Sequence, residues 1–164
     1  QETNRLNSNS RVSPRALRDL YLRAFEICVR QARPAAVMTS YNLINGVHTS
    51  ESAKLLEVIL RREWGFDGLV MTDWVVDGMT RSDMKHPRAT AAATIKAGNE
   101  LFMPGGETDR EDLLAALERG SAGRGPDGRI APEDGGVSLT RGELEKQAAR
   151  VIRAAWRIAA ISTS

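Results

Sequence analysis

The chain has 164 residues, of which 41% are hydrophobic and 27% are charged, a size and composition that fit one globular unit with a hydrophobic core. With 23 basic and 21 acidic residues the formal net charge is +2, and the lack of a Lys/Arg run argues against nucleic acid as a partner. No apolar stretch approaches the roughly 20 residues that a membrane span requires, so we expect no membrane partner.

Residues 1–5 are polar and include no initiator Met, which we interpret as a cut inside a longer protein that leaves the cellular compartment open. The first predicted helix begins with Ser13 as N-cap and Pro14 at the first helical position, and it continues to about Gln31. Its helical spacing predicts one buried apolar face, made of Leu17, Leu20, Tyr21, Ala24, Phe25 and Cys28. Cys28 is the only cysteine, so the chain has no internal disulfide, and we expect Cys28 to be a small buried hydrophobic residue.

Two short apolar runs are predicted as buried strands. The first covers residues 35–40 and delivers Tyr41, and the second covers residues 69–71 and delivers Asp73 and Trp74. A helix between about residues 50 and 65 separates them. Because the carboxyl ends of parallel strands form the ligand-binding face of α/β domains, we expect these side chains at one open face.

Two interpretations of Asp73 remain open from the residues alone. An Asp at a strand end commonly accepts backbone N–H groups in a tight turn or caps the next segment. Trp74 favours a functional site instead, because its flat apolar ring is a surface on which the C–H face of a sugar stacks. A single Trp is nevertheless more often part of a core.

The second half of the chain predicts further helices after an irregular segment at 75–88. We expect a helix at 89–97 closed by Gly98, a third short strand at 101–103, and a helix that begins at a Thr108–Glu111 capping box and stops near Gly120. Residues 120–139 are expected to form an exposed Gly-rich loop, and they lack the strand and helix context of a phosphate-binding loop. A second capping box, Thr140 to Glu143, begins the last helix. Its predicted core stripe is Leu144, Ala148, Val151, Ile152, Ala155 and Ala159.

The alternation of strands and helices predicts the fold class α/β, with parallel strands joined by right-handed crossovers. About three strand-helix units are visible. A complete barrel of eight such units takes about 250 residues, so we predict the C-terminal part of a TIM-like (β/α) barrel. Such a part exposes strand edges and apolar surface, and it should need a partner.

Four motifs, in this order, resemble those of glycoside hydrolase family 3, the β-glucosidases and related exo-acting β-glycosidases. The opening residues 1–5 resemble the polar segment that follows an active-site strand in that family. Residues 38–46 resemble its Met-x-Ser-Tyr-Asn…Asn-Gly motif, residues 64–74 its nucleophile motif, and residues 97–105 its Ala-Gly-x-Asp/Glu-x-x-Met-Pro-Gly motif. The resemblance covers most of residues 1–120, and the long segment at 120–136 departs from the family pattern.

The resemblance implies a retaining β-glycosidase in which Asp73 is the nucleophile and forms a covalent glycosyl-enzyme. Trp74 is then expected to flank the sugar on the aglycone side, while Met38 and Tyr41 line the glycone pocket. The family's acid/base lies outside the barrel segment, and its sugar-binding Lys-His pair lies upstream of this chain. The implied partners are a β-glucoside or oligosaccharide substrate, the remaining barrel, and the domain that bears the acid/base.

Other polar residues receive structural interpretations. Lys85 and His86 imitate the Lys-His pair in letters only, and we expect them to be solvated. His48 has no second ligand at metal spacing, so we predict no metal and no cofactor. Glu100 precedes a predicted buried strand, and we favour a structural role for it.

Three functions are therefore weighed. The first is the nucleophile-bearing part of a β-glucosidase-like hydrolase that is inactive as an isolated fragment. The second is a non-catalytic carbohydrate-binding or assembly fragment of such an enzyme. The third is a phosphate-binding barrel fragment, which predicts protection by phosphate esters and none by sugars.

Overall fold

The computed structural model describes residues 2–74, 85–122 and 136–162. Its strands are β1 (Asn9–Ser10), β2 (Ala36–Met38), β3 (Leu43–Ile44), β4 (Val47–His48) and β5 (Leu69–Met71). Its α-helices are α1 (Pro14–Ala16), α2 (Arg23–Ala32), α3 (Ala91–Ala97), α4 (Glu107–Ala122) and α5 (Arg141–Ser162). Short 3₁₀ turns cover Glu2–Asn4 and Thr49–Glu51, and π-helical segments cover Leu17–Tyr21 and Lys54–Glu63. In these ranges no helix combines the length and hydropathy of a membrane span.

Parallel strands joined by helices form the centre of the molecule, as the sequence predicts. β2 pairs with β5 in parallel, with Val37 opposite Val70, and Met71 makes a parallel bridge to Leu101. The Lys54–Glu63 segment connects β2 to β5, and α3 precedes Leu101. The expected third strand at 101–103 is reduced to that one bridge, because the backbone N–H of Met103 donates to the Thr72 hydroxyl instead.

The two paired strands differ in burial. Val70, in the middle of β5, is completely buried, as expected for a strand with a neighbour on each side. The prediction that β2 is buried is wrong: Ala36 is exposed and Met38 is 54% exposed. In the described part of the chain β2 has β5 as a neighbour on one side only, so it lies at a sheet edge.

A β-hairpin follows β2, in a stretch for which the sequence predicts no strand. β3 and β4 are antiparallel, and β1 adds to β3 in parallel. The turn residues Asn45 and Gly46 have φ angles of 51° and 87°, and Asn-Gly is the preferred pair where both central residues of a two-residue turn need positive φ. That dipeptide is the signal from which the hairpin could have been predicted.

The first helical region begins as predicted, since the Ser13 hydroxyl accepts from the N–H of Ala16 at 3.2 Å. Its expected buried face is largely wrong. Leu17 is buried, but the other large apolar side chains of that face are exposed, and so is Cys28. The exposed residues are Leu20 (69%), Tyr21 (64%) and Phe25 (59%). Nothing in the described part of the chain covers this face.

A hydrophobic core joins α3, α4 and α5. It is built from Ala92, Ile95, Ala116 and Leu139, with Leu113, Leu117, Val137 and Leu144 packed against it. α4 begins at Glu107, so the expected N-cap Thr108 is already inside the helix. The loop expected at 120–139 is corrected at both ends, because α4 continues to Ala122 and Leu139 is fully buried. Residues 123–135 lie outside the described part.

The start of α5 agrees with the predicted capping box. The Glu143 carboxylate accepts from the Thr140 backbone N–H at 2.8 Å, and the Thr140 hydroxyl accepts from the Glu143 N–H at 3.2 Å. The predicted core stripe of α5 is largely wrong beyond Leu144: Val151 is half-buried, but Ile152 is 57% exposed, and Ala148, Ala155 and Ala159 are also exposed. The polar side chain of Gln147 is buried instead, and it donates to the carbonyl of Ile95.

Candidate active site

The backbone that leads into Asp73 is fixed from both sides. Thr72 is completely buried, its N–H donates to the Leu101 carbonyl at 2.9 Å, and its hydroxyl accepts from the Met103 N–H at 2.9 Å. On the β2 side, the N–H of Thr39 donates to the Met71 carbonyl at 2.9 Å. These bonds hold the carboxyl end of β5, and with it the direction in which Asp73 leaves the sheet.

Asp73 is half-buried in a tight turn with Trp74. Its Oδ1 accepts from the Trp74 backbone N–H at 2.7 Å, which is the turn contact that the structural interpretation predicts. Within the described residues Oδ2 has no hydrogen-bond partner. Trp74 is 46% exposed. The turn therefore occupies one carboxylate oxygen, and no described residue occupies the other.

Tyr41 contacts this turn directly. Its hydroxyl donates to the Trp74 carbonyl at 2.7 Å, and the guanidinium of Arg5 lies 5.0 Å from the centroid of its ring. Tyr41 itself lies in the loop after β2, so two predicted site residues from different strand ends meet here. The structure thus brings together Tyr41, Asp73 and Trp74, as expected for the carboxyl ends of neighbouring parallel strands.

Met38 occupies a different position. It lies opposite Met71 in the β2–β5 register, and its side chain borders an apolar cavity of about 190 Å³ together with Phe25, Val37 and Trp64. Two further cavities measure about 440 Å³ and 400 Å³. Asp73 and Trp74 do not line these three cavities.

The loop that carries Tyr41 is braced by residues that the sequence analysis did not single out. The Thr49 hydroxyl donates to the Ser40 carbonyl at 2.6 Å and accepts from the Ser40 N–H at 3.0 Å. The ring of His48 lies between the carbonyl oxygens of Tyr41 and Pro87. Within the described ranges no three His, Cys, Asp or Glu side chains are close enough to hold a metal ion.

Behind β5 lies a buried carboxylate, that of Glu100, whose side chain is 0% exposed. Its Oε2 accepts from the Val70 N–H at 2.6 Å, and its two oxygens bind Arg61 at 2.6 Å and 2.7 Å. Burial raises the pKa of the Glu100 carboxyl, while the Val70 N–H and Arg61 act in the opposite direction. The structural role expected for Glu100 is confirmed, since it holds the strand that carries Asp73.

The same network extends to α5 through Arg150. Its Nη1 lies 2.9 Å from Glu100 and 2.8 Å from Glu57, and Lys146 adds a contact of 3.1 Å to Glu57. Burial opposes ionisation of Glu57, but the hydrogen bonds from Arg150 and Lys146 prevail and lower its pKa to about 2. Sequence reasoning missed this network because charged residues on helices are usually solvated, and only the position of Glu100 before a buried strand gave a signal.

The chain is similar to known proteins in both sequence and fold. The family model described as Glycosyl hydrolase family 3 N terminal domain matches residues 4–126. The chain is 47% identical over 118 residues to an exo-alpha-(1->6)-L-arabinopyranosidase of Bifidobacterium longum, covering 72% of this chain. It is 38% identical over 154 residues to a beta-glucosidase of Ruminococcus albus, covering 93% of this chain. A solved beta-glucosidase of Kluyveromyces marxianus in complex with glucose superposes with a TM-score of 0.68 at 33% identity, covering 92% of this chain and 15% of that one.

The chain spans 14% of the length of each of these two curated relatives. The match to the family model nevertheless covers most of it, including β2, β5, Asp73 and the Glu100 region. The superposition extends over nearly the whole chain and supports the parallel arrangement of strands and helices. On these grounds the chain belongs to glycoside hydrolase family 3.

Proposed function

We propose that this chain supplies the nucleophile of a retaining β-glycosidase that acts on terminal β-linked sugars. One observation carries the proposal: Asp73 leaves the carboxyl end of a buried parallel strand with one oxygen unoccupied by any described residue, beside Tyr41 and Trp74. The chain is similar to proteins named as a beta-glucosidase and as an arabinopyranosidase. We infer a pyranoside substrate of the β-glucoside type.

The proposed reaction has two displacements. Oδ2 of ionised Asp73 attacks the anomeric carbon, the bond from that carbon to the aglycone oxygen breaks, and a second carboxyl group gives its proton to the leaving oxygen. The same group then takes a proton from water, the water oxygen attacks the anomeric carbon, and the bond to Asp73 breaks. Two inversions at that carbon give net retention.

The other predicted site residues receive roles consistent with their contacts. The exposed indole of Trp74 offers a stacking surface on the aglycone side. Tyr41 lies near the nucleophile, and its bond to the Trp74 carbonyl fixes the turn that aims Asp73. Met38 is assigned to the glycone pocket on the family resemblance.

We further propose that the chain forms the C-terminal part of a TIM-like barrel, with three strand-helix units. The remaining barrel and a domain bearing the acid/base would complete the active enzyme. The exposed edge of β2 and the exposed apolar face that includes Phe25 support this, since both offer surface for further units.

A non-catalytic carbohydrate-binding fragment is the second candidate. It is favoured by the hydrogen bond from the Trp74 N–H to Asp73 Oδ1, because this turn contact alone explains why an Asp stands at position 73. This candidate keeps the sugar contact of Trp74 but forms no covalent bond.

Covalent trapping separates the two candidates. A 2-deoxy-2-fluoro-β-glucoside with a good leaving group should label the intact enzyme once, and peptide mass spectrometry should place the adduct on Asp73. Asp73→Asn should abolish labelling and lower kcat by at least about 10³-fold while the protein stays folded. The matched control is Asp67→Asn, six residues earlier and paired with Arg157 at the surface, which should label normally. An adduct on another residue, or none at all, would refute the nucleophile assignment.

A further inference from the structure

The backbone N–H of Val70 is held by a side chain and not by a neighbouring strand. Val70 is completely buried in the middle of β5, so its N–H needs a partner inside the protein. The Val70 carbonyl accepts from the backbone N–H groups of Glu100 and Leu101 at 2.9 Å and 3.2 Å. The Val70 N–H donates instead to Oε2 of the Glu100 side chain at 2.6 Å. The position of this carboxylate therefore determines the position of β5 shortly before Asp73.

Two arginines hold the Glu100 carboxylate in place. Nη2 of Arg61 lies 2.6 Å and 2.7 Å from its two oxygens, and Nη1 of Arg150 lies 2.9 Å from Oε1. The three side chains are almost fully enclosed, since Glu100 is 0% exposed, Arg61 8% and Arg150 14%. Hydrogen bonds between charged groups are short and strong, so the carboxylate has little freedom to shift along β5.

Arg150 differs from Arg61 in what else it contacts. Arg61 also donates to the carbonyl of Gly68 at 3.1 Å, so it holds the chain that enters β5 directly. In the described part of the chain, the hydrogen bonds that the Arg150 guanidinium makes beyond its own helix go to Glu57 and Glu100. Of these two partners, Glu100 is the one bonded to β5, so Arg150 acts on the strand through that carboxylate.

We propose that Arg150 is a positioning residue for the nucleophile: from α5 it holds the Glu100 carboxylate against the Val70 N–H, and so sets where β5 delivers Asp73. This inference rests on the proposed function, because Asp73 is taken to attack the anomeric carbon. Attack requires the reacting atoms to lie about 3–3.5 Å apart, and a displacement of about 1 Å can cost about 10²-fold in rate. Arg150 acts through Glu100 and β5 and makes no contact with the sugar.

The first test needs no turnover. Hydrogen exchange of the intact enzyme, followed by mass spectrometry of a peptide that contains residues 69–73, reports on the Val70 N–H. Arg150→Met removes the guanidinium but keeps a long side chain. We expect Val70 to exchange about tenfold faster in this variant, the change that corresponds to one weakened charged hydrogen bond. Unchanged exchange of this peptide would overturn the proposal, whichever residue is the nucleophile.

Leu113→Ala is the matched control for a general loss of stability. Leu113 packs against the core of α3, α4 and α5, so its truncation weakens the packing around α5 without removing a charge. It should speed exchange in peptides of those helices and leave the 69–73 peptide at the wild-type rate. If Leu113→Ala speeds exchange of the 69–73 peptide as much as Arg150→Met does, loss of stability explains the effect and the proposal is wrong.

The second test measures the chemical step apart from sugar binding. In Arg150→Met, kcat on an aryl β-glucoside should fall about tenfold while the inhibition constant of glucose stays within about twofold, because the nucleophile shifts and the sugar contacts remain. Arg150→Lys restores a cation and should lie between Arg150→Met and the wild type. Leu113→Ala should keep the wild-type kcat at a temperature where every variant is folded. Equal losses of kcat in Arg150→Met and Leu113→Ala, or glucose binding weakened as much as kcat, would refute positioning.

Failure of this proposal can be told apart from failure of the nucleophile assignment. A covalent adduct on a residue other than Asp73 in the wild-type enzyme refutes that assignment, whereas exchange of the 69–73 peptide decides whether Arg150 holds β5. If Arg150→Met does not fold, Arg150→Gln replaces it, since its amide keeps a hydrogen-bonding group without the charge. An Arg150→Gln enzyme with wild-type exchange of this peptide and wild-type kcat would overturn the proposal.

Discussion

At the scale of single residues, close packing and not chain flexibility explains why a glycine stands at position 120. Gly120 was expected to end its helix, but α4 continues to Ala122. A Cβ atom at Gly120 would clash with the Leu139 carbonyl oxygen, so this glycine lets the backbone of residue 139 approach the helix. Leu139 is thereby fully buried in the core of α3, α4 and α5.

We therefore expect the same substitution, glycine to alanine, to have opposite effects on stability at two helical positions. Alanine normally favours a helix over glycine by up to about 1 kcal/mol. Gly142, in the first turn of α5, has no atom within 4 Å of a built Cβ, so Gly142→Ala should raise the unfolding midpoint slightly. Gly120→Ala should lower the free energy of unfolding by about 1–3 kcal/mol through the clash with Leu139. Thermal unfolding of both variants checks this, and a stabilised Gly120→Ala would contradict the packing argument.

At the scale of elements, the sequence correctly predicts the strand and the helix ends that depend on neighbouring residues. The strand at 69–71, the cap at Ser13, the Thr140–Glu143 box and the Gly98 helix end all follow from short-range chemistry, and the structure contains each of them. The meeting of Tyr41 with the Asp73–Trp74 turn followed from one topological rule, that parallel strands share a carboxyl edge.

The predictions that were wrong concern residues whose burial depends on partners far away in the sequence. α5 has apolar residues at helical spacing, but Arg150 points inward because it binds Glu57 and Glu100 on other elements. Gln147 also points inward, and it donates to the Ile95 carbonyl. No periodicity in α5 can reveal a carboxylate 50 residues away. The predictions that β2 and the helix face of Phe25 are buried were wrong for a related reason. A sequence pattern shows that a surface is apolar, but it does not show what covers that surface.

The charge network makes the packing of α5 dependent on pH. Because the folded-state pKa of Glu57 is lowered from 4.5 to about 2, its ionised form stabilises the fold above about pH 4.5, and this contribution is lost as the pH falls toward 2. The shift corresponds to roughly 3 kcal/mol. We expect Glu57→Gln to destabilise the protein at pH 7 and to flatten the acid decline in the free energy of unfolding.

Denaturant titrations at several pH values between about 2 and 7 measure this decline. The control is Glu145→Gln, which removes a carboxylate that pairs with Arg141 at the surface of the same helix. It should leave the acid decline unchanged, because exposed pairs contribute little. If Glu57→Gln loses stability below pH 4.5 as steeply as the wild type, the ion pair with Arg150 does not stabilise the fold.

At the scale of the whole molecule, the described part of the chain exposes an apolar face and an unpaired strand edge. Leu20, Tyr21 and Phe25 form an exposed apolar face, and β2 presents an open edge within the described part. Soluble domains rarely leave such patches uncovered unless something binds there. The exposed face and the open edge are therefore the surfaces where we expect a further unit to bind.

Catalysis should therefore be absent from the 164-residue chain alone. Retaining hydrolysis needs a second carboxyl group about 5 Å from the nucleophile, and the family resemblance assigns that group to a domain outside this chain. We expect the purified chain to leave an aryl β-glucoside intact, while the complete enzyme hydrolyses it and its Asp73→Asn variant does not. Circular dichroism should show that the purified chain is folded, which excludes unfolding as the cause of its inactivity. Turnover by the folded chain, abolished by Asp73→Asn, would show that it already contains its own acid/base.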